Sequence, residues 1–387
     1  MSVTAPEGFI AVGYACGIKT SGATDLALVA TASGSAVPAA AVFTSNNATA
    51  APVLVSRAHL LATSGRAAAV VLSSGNANAA TGAAGHADAE RMCSLVASGL
   101  TCAPEEVLVC STGLIGIPLP MDRLEEGIPA AARLLRPDGG WSAAEAIRTT
   151  DTVRKEVVIT AGGFTVGGMA KGSAMLAPNM ATMLAVLTTD AEATPELLQE
   201  ALTAGVEGSF NVLSTDGATS TNDTVVLLAS GTTGPVDPAE LHVAVAEACA
   251  SLARQMAGDA EGATKVVTVR VTGAASDGDA AMAARQVADS ALCKCSWYGQ
   301  DPYWGRIVSE VGASGAAFDQ NEVSVSYGAI TVCRKGVAAM HDVSALQRVM
   351  AEREITVSVD LGLGDGDGVI LTNDLTHAYV DENMGTS

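Results

Sequence analysis

The hydroxyl of Thr182 stands where the surrounding sequence calls for an apolar side chain. It follows Asn-Met-Ala and directly precedes an apolar run, Met183 to Leu187. This run predicts a buried strand that begins immediately after Thr182. Two interpretations are open at this point. Thr182 either simply starts the strand, or it is a nucleophile that becomes N-terminal when the chain cleaves the peptide bond before it. The second arrangement activates a weak hydroxyl without a histidine.

Other familiar chemistries find less support in the sequence. Of eight cysteines, only Cys293 and Cys295 lie close together, and we predict them on one face of a strand. No second cysteine pair or histidine spacing completes a metal site, so we expect reduced thiols and no metal. None of the five histidines adjoins a glycine-framed nucleophile, which disfavours a serine or cysteine triad. Glycine-rich phosphate-binding motifs are also missing, and no cofactor is expected.

Composition excludes further classes of protein. The 387 residues carry 21 Lys+Arg against 41 Asp+Glu, a formal net charge of -20, so the chain lacks the basic surplus of a nucleic-acid-binding protein. No apolar run approaches the roughly 18–20 residues that span a bilayer. The first residues lack the basic and apolar regions of a signal peptide, and we expect a cytoplasmic protein. Since 49% of the residues are hydrophobic, the chain can bury a large core.

Periodicity predicts a mixed α/β protein whose strands and helices must position these groups. Predicted strands cover residues 8–13, 26–30, 39–43, 53–56, 107–110, 155–160, 183–187, 225–229, 266–271, 323–327 and 355–359. Predicted helices cover residues 86–100, 142–148, 195–204 and 238–257. The helix at 142–148 is expected to begin with a capping box formed by Ser142 and Glu145. Residues 273–280 resemble an interdomain loop.

Around Thr182 the sequence closely resembles the signature of the glutamate N-acetyltransferase (ornithine acetyltransferase) family. The matching stretch is Lys171-Gly-Ser-Ala-Met-Leu-Ala-Pro-Asn-Met-Ala-Thr-Met-Leu184. Further motifs follow the family's order along essentially the whole chain: Ser73–Gly82, Cys110–Gly116, Ala146–Thr152, Ser209–Asn211, Thr219–Thr224, Gly258–Lys265 and Asp301–Arg306. The resemblance favours the nucleophile interpretation of Thr182.

The resemblance implies a processed enzyme. Thr182 would cleave the chain after Ala181, and segments 1–181 and 182–387 would stay associated as a heterotetramer. The new α-amino group, with a reference pKa of about 7.7–8.0, would serve as the general base. The implied fold is α/β, a layered sheet-and-helix core like that of self-processing aminopeptidases, with residues 1–275 as catalytic core and 276–387 as a smaller C-terminal domain.

Site roles also carry over from the family, position by position. Thr112 and Gly113 match the oxyanion hole. Lys171 matches a substrate-binding cation and Glu261 a substrate-binding anion, the charges that an amino acid requires. Thr149 matches a substrate contact, although the neighbouring Thr150 is hardly separable from it by sequence.

The C-terminal region and two internal positions depart from the family pattern. Asn383 carries over as a substrate contact. The terminal contact is assigned to Ser387, with Thr386 as the alternative because the tail is one residue shorter. Tyr303 replaces a usual asparagine and Val212 a common basic residue, changes that bear on substrate choice or subunit contacts.

The implied reaction is a ping-pong transfer of acetyl from N2-acetyl-L-ornithine to L-glutamate through acetyl-Thr182, within arginine biosynthesis. Use of acetyl-CoA as a second donor stays open. So do two alternatives: an aminopeptidase or acyltransferase of secondary metabolism on the same scaffold, and a binding assembly without turnover. Neither nucleic acid nor membrane is an expected partner.

Overall fold

A computed structural model describes residues 2–177 and 183–385. Ala181, Thr182, Thr386 and Ser387 lie outside the described residues. Over the described part, the chain forms two compact units. Unit 1 contains the residues up to Asn211 together with Thr219–Met256, and unit 2 contains Val212–Ala218 together with the residues from Ala257 on.

Strands and helices alternate along the described residues. The strands are β1 (Phe9–Tyr14), β2 (Leu26–Thr31), β3 (Val37–Phe43), β4 (Arg66–Ala67), β5 (Ala69–Asn76), β6 (Val107–Leu114), β7 (Lys155–Ala161), β8 (Phe164–Lys171), β9 (Leu184–Glu192), β10 (Leu213–Ser214), β11 (Thr224–Pro235), β12 (Val266–Ala274), β13 (Ser324–Tyr327), β14 (Ile330–Arg334), β15 (Val337–Ala338), β16 (Glu354–Asp360) and β17 (Gly366–Asn373). The helices are α1 (Ala51–Ala62), α2 (Gly82–Leu100), α3 (Met121–Ala132), α4 (Gly140–Ala146), α5 (Pro195–Glu207), α6 (Pro238–Gly258), α7 (Asp277–Asp289), α8 (Ala291–Tyr298), α9 (Trp304–Ala313), α10 (Val343–Ala351) and α11 (His377–Glu382).

In the described part of unit 1, two sheets face each other. One has the strand order β1-β2-β5-β6 and the other the order β4-β3-β11-β9-β8-β7. Val29 and Leu72 of the first sheet and Val186 and Leu228 of the second belong to one buried apolar cluster. This cluster is the core between the sheets, as in other face-to-face sheet packings.

Helices cover the outer faces of both sheets. Met92 of α2 and Ile128 of α3 pack with Leu28 on the outer face of the first sheet. On the second sheet, the Gln255 side chain of α6 exchanges two hydrogen bonds of 3.1 Å with the backbone of Glu156 in β7. Unit 1 is therefore layered as helix, sheet, sheet and helix, and the α/β layered fold predicted from the sequence is confirmed.

The strand predicted at residues 53–56 is wrong, because this segment belongs to helix α1. Val53, Val55, Ser56 and His59 are buried at helical spacing. Two of them bond the edge strand of the sheet: the Ser56 hydroxyl donates to the carbonyl oxygen of Val109 at 2.7 Å, and the His59 ring bonds a carbonyl of β6 at 2.8 Å. Packing against a sheet edge thus overrides the β-propensity of the valines.

The N-terminus of the predicted helix at 142–148 is also wrong. Helix α4 begins at Gly140 after an N-cap at Gly139, and the Ser142 hydroxyl donates to the carbonyl of Gly139 and accepts from the N–H of Gly13. Glu145 pairs with Arg148 at 2.6 Å instead of returning to the backbone. Ion pairing and contact with β1 therefore replace the capping box.

Unit 2 is built around a sheet of order β10-β17-β12-β16-β13-β14-β15 in the described residues. Its core combines Val269 and Val357 of the sheet with Val287 of α7 and Trp297 of α8. Strand β12 pairs with β16 and β17, so it lies in unit 2, whereas the family resemblance implies a catalytic core that extends to residue 275.

Two local predictions in unit 2 are wrong. Residues 273–280 are not an interdomain loop, because β12 runs to Ala274 and α7 begins at Asp277 with Ser276 as its N-cap. Cys293 and Cys295 lie on helix α8 rather than on a strand, and Cys293 is buried whereas Cys295 is exposed. The Ser290 hydroxyl caps this helix by accepting from the N–H of Cys293.

The other predicted helices and strands are found with shifted ends. Among the described residues, no helix combines the length and apolar character that crossing a bilayer requires.

Candidate active site

Lys171, at the end of β8, is the centre of a buried polar cluster in unit 1. Its ammonium nitrogen donates to Thr149 Oγ1 at 2.7 Å and lies 3.2 Å from Thr112 Oγ1. Lys171 also pairs in register with Leu184 of β9, two residues beyond Thr182 in the chain. The fold therefore joins three predicted site residues next to the strand that follows the predicted nucleophile.

Asp151 provides the negative charge beneath this lysine. Its Oδ1 accepts from Lys155 Nζ at 2.6 Å and from the N–H of Gly172 at 2.7 Å, and its Oδ2 lies 4.0 Å from Lys171 Nζ. Burial alone would raise the pKa of Asp151, but Lys171, Lys155 and these hydrogen bonds outweigh it and lower the pKa to about 2. Asp151 is therefore ionised, and these three groups, one carboxylate and two ammonium groups, have a net positive charge.

Thr112 and Gly113 lie within β6, which continues beyond the strand predicted at residues 107–110. Gly113 has a φ of +131°, and a Cβ at this position would come within 2.3 Å of the Gly75 carbonyl carbon in β5. The register between the two strands is irregular at this point. Only glycine fits this backbone conformation and close approach, which turns the Thr112–Gly113 backbone away from a regular ladder.

The structure separates the two threonines that the sequence left unresolved. Thr149 bonds Lys171, whereas the Thr150 hydroxyl bonds the Ser173 hydroxyl at 2.7 Å. The N–H of Thr149 donates to Asp151 Oδ2 at 3.1 Å. Thr149 is therefore bonded to both Lys171 and Asp151.

In unit 2, two predicted site residues meet. Asn383 Nδ2 donates to Glu261 Oε2 at 2.9 Å and also bonds the carbonyl of Tyr379. Burial, followed by Glu261 and Asp259, raises the pKa of the neighbouring Glu382. This end of unit 2 is therefore acidic, and the Asn383 amide orients one of its carboxylates, that of Glu261.

Val212 and Tyr303 are the two internal positions that depart from the family pattern. Val212 packs partly buried against the core of unit 2. The Tyr303 side chain is 57% exposed, with its ring over Gly305. Within the described ranges, no group of three or more His, Cys, Asp or Glu side chains has an arrangement that could hold a metal ion.

Sequence reasoning missed the charged pair Asp151 and Lys155, and also Asn222 and Asp223. Asp151 belongs to the quoted motif Ala146–Thr152, and the last two belong to Thr219–Thr224, so the motifs contained a signal. This signal is not interpretable without the fold. In the sequence, Lys155 is one charged residue at the start of a predicted strand, and only the tertiary structure buries it against Asp151.

Relatives match this chain over its full length. The "Arginine biosynthesis bifunctional protein ArgJ" of Thermobifida fusca is 48% identical over 388 residues, with 100% of both chains covered. The protein of the same description from Streptomyces coelicolor is 47% identical over 392 residues, again with 100% of both covered. The chain is thus an enzyme of the acetyltransferase class, in arginine biosynthesis.

The ArgJ family matches residues 10–385. The chain belongs to this family, the ornithine acetyltransferases or glutamate N-acetyltransferases, as the motifs around Thr182 predicted. A solved structure described as ornithine acetyltransferase complexed with ornithine, from Mycobacterium tuberculosis, is 48% identical to it. That match covers 46% of this chain and 94% of the solved one, with a TM-score of 0.44.

Proposed function

We propose that the chain transfers an acetyl group from N2-acetyl-L-ornithine to L-glutamate through an acetyl ester on Thr182. The proposal rests on Lys171: its ammonium group lies within 3.2 Å of the hydroxyls of both Thr112 and Thr149, and its backbone pairs with Leu184 in the strand that follows Thr182. Full-length relatives described by arginine biosynthesis support the substrate class.

The first step is self-cleavage. Thr182 Oγ attacks the carbonyl carbon of Ala181, the bond from that carbon to the Thr182 nitrogen breaks, and the hydroxyl proton passes to the nitrogen. Water then hydrolyses the ester and leaves Thr182 with a free α-amino group. This amine takes the hydroxyl proton when Thr182 attacks the acetyl group of the donor.

In the transfer steps, the Thr112–Gly113 backbone and the Thr112 hydroxyl are assigned to the oxyanion of each tetrahedral intermediate. A preorganised donor of this kind is worth roughly 2.7–4 kcal/mol. Ornithine leaves after the first step, and the glutamate amine attacks the acetyl ester in the second.

The charges suit amino-acid substrates. Lys171 and Lys155 both face the carboxylate of Asp151, so the cluster in unit 1 attracts a substrate carboxylate. In unit 2, Glu261, oriented by Asn383, is assigned to the substrate ammonium group. Ser387, or Thr386 in its place, is proposed as the terminal contact.

The two segments are proposed to stay together after cleavage, as halves of a heterotetramer. Support for their association comes from the antiparallel ladder of β8 with β9, which runs from Val166↔Thr189 to Lys171↔Leu184 across the proposed cleavage point. The core between the sheets also draws on both segments. Size-exclusion chromatography with light scattering tests the assembly: co-elution at twice the mass of the full chain is expected, and separate elution would contradict it.

Mass spectrometry of the denatured protein, before and after incubation with N2-acetyl-L-ornithine, tests the reaction. We expect two species cut between Ala181 and Thr182, with the C-terminal one heavier by about 42 Da after incubation, as an acetyl-enzyme requires. Thr182→Ala is the control and is expected to remain one chain without the added mass. An uncut wild-type chain that takes up no acetyl group would overturn the proposal.

A second assay separates this function from an aminopeptidase. Acetylornithine-dependent formation of N-acetylglutamate is expected, and release of free acetate or amino acids without transfer to glutamate would favour the hydrolytic alternative.

A further inference from the structure

Asn222 and Asp223 are buried polar residues to which the proposed reaction gives no role. They lie just before β11, within the motif Thr219–Thr224, and Asp223 is fully buried while Asn222 is 5% exposed. Both side chains reach strands that carry predicted parts of the site, and they do so from adjacent positions in the chain.

Asn222 holds the strand that carries the predicted oxyanion donors. Its Nδ2 donates to the carbonyl oxygens of Ser111 at 2.9 Å and Ala77 at 2.6 Å. Ser111 is the residue before Thr112. The amide therefore satisfies two backbone acceptors at the irregular end of β5 and β6, where the ladder between these strands does not continue regularly.

Asp223 holds the strand that follows the predicted nucleophile. Its Oδ1 accepts from the N–H of Met183 at 2.9 Å, and this nitrogen belongs to the peptide bond that joins Thr182 to Met183. The carbonyl of Met183 accepts from the N–H of Thr224 at 3.2 Å. Met183 is thus bound on both sides at the start of β9.

The second oxygen of Asp223 has no hydrogen-bond partner among the described residues and is buried. Burial raises the pKa of Asp223 well above its ordinary value, and the Met183 N–H, the Ser220 hydroxyl and the Lys171 ammonium lower it only in part. Burial therefore favours the neutral form of this carboxyl group. Its bond to Met183 is therefore one that an asparagine amide can reproduce.

Resting on the function proposed above, we propose that Asn222 and Asp223 are positioning residues, which together set the separation between the Thr112–Gly113 backbone and the peptide that follows Thr182. This dipeptide hydrogen-bonds both β6, which carries the predicted oxyanion donors, and the start of β9, which follows the predicted nucleophile. The two strands belong to different sheets. Acyl transfer is sensitive to such a separation, because a misplacement of about 1 Å costs roughly 100-fold in rate.

Two isosteric exchanges test the inference. Asn222→Asp replaces the amide donor by an oxygen that faces two carbonyl oxygens, and we expect kcat to fall roughly 100-fold with KM within about twofold. Asp223→Asn keeps an acceptor for Met183, and we expect kcat within about threefold and an unchanged pH profile. Asp223→Ala is expected to lose at least about tenfold in kcat and to slow self-cleavage.

A matched control comes from the other end of β9. Asp190 is likewise buried, and it accepts from the backbone N–H groups of Glu7 and Thr165. Asp190→Ala likewise removes a buried carboxyl group that bonds backbone N–H groups, so we expect a similar loss of stability in urea unfolding but kcat within about threefold of wild type.

Each outcome counts for or against the inference. If Asp223→Asn is as impaired as Asp223→Ala, the carboxyl group does more than accept the hydrogen bond of Met183, and the positioning role is wrong. If Asp223→Ala or Asn222→Asp matches wild type, or if Asp190→Ala loses as much kcat as they do, the inference also fails. A wild-type enzyme without acetylornithine-dependent transfer would instead overturn the proposed function, while the self-cleavage rates of the variants still decide the positioning role.

Discussion

Two buried lysines, one in each unit, show that burial alone does not mark a functional site. Lys171 is 3% exposed and Lys294 is 4% exposed. Lys294 donates to Thr372 Oγ1 at 2.6 Å and to the carbonyl of Asn373 at 2.9 Å, and burial, offset in part by Asp289 and other acids, lowers its pKa to about 8. Its bonds tie α8 to β17.

Lys171 differs in the chemistry of its partners. It faces an ionised carboxylate that it shares with Lys155, and its ammonium group contacts two hydroxyls that the family pattern assigns to the site. The comparison indicates that Lys294 joins a helix to a sheet. Lys171 instead places an ammonium group next to two hydroxyls of the predicted site.

Asp151→Asn should have the largest effect on stability. It leaves Lys155 and Lys171 buried without their counter-charge, and we expect the free energy of unfolding to fall by about 3 kcal/mol or more. Urea denaturation at pH 7 measures it. A loss below about 1 kcal/mol, typical of a surface pair, would show that the cluster is not electrostatically coupled.

Lys171→Met and Lys294→Met form a matched pair for activity. We expect kcat/KM for acetyl transfer to fall roughly 100-fold in the first, because the cation next to Thr112 and Thr149 is lost. The second should stay within about threefold while losing about 1–3 kcal/mol of stability, since two oxygens lose their donor. Equal losses of kcat/KM in both variants would show that Lys171 has no role in the reaction beyond that of a buried structural lysine.

Acid should destabilise the protein through Asp151. Its folded-state pKa of about 2 lies below the unfolded value of about 3.9. The carboxylate therefore contributes its full stabilisation, about 3 kcal/mol, above pH 4, and this is lost as the pH falls through 2. The difference in free energy of unfolding between wild type and Asp151→Asn should shrink over this range, and a constant difference would contradict the assignment.

Alkali should stabilise the protein through Lys294. Its folded-state pKa of about 8 lies below the unfolded value of about 10.4, so between these values the unfolded state binds more protons and the contribution of this group to stability rises with pH. From pH 8 to pH 9, we expect wild type to gain about 1 kcal/mol relative to Lys294→Met. Parallel pH curves in urea unfolding would show that Lys294 stays protonated.

Some of this protein could be predicted from local sequence. The α/β class, helices α2, α5 and α6 and most strands follow from periodicity, because these segments bury one face in a regular pattern. Local sequence failed where a tertiary contact replaces a local preference. Helix α1 contains a Val-Leu-Val run, yet Ser56 and His59 bond the edge of β6.

Family membership follows from the amino-acid sequence alone, through motifs that lie in a fixed order around Thr182. Which polar residues meet depends on the tertiary structure. Thr112 and Lys171 are 59 positions apart and come from strands of different sheets, and Ser111 of β6 lies 111 positions from Asn222, just before β11. The local pattern of a segment reports which face it buries, but not which strand end lies opposite it, because that pairing is set by the packing of the whole core.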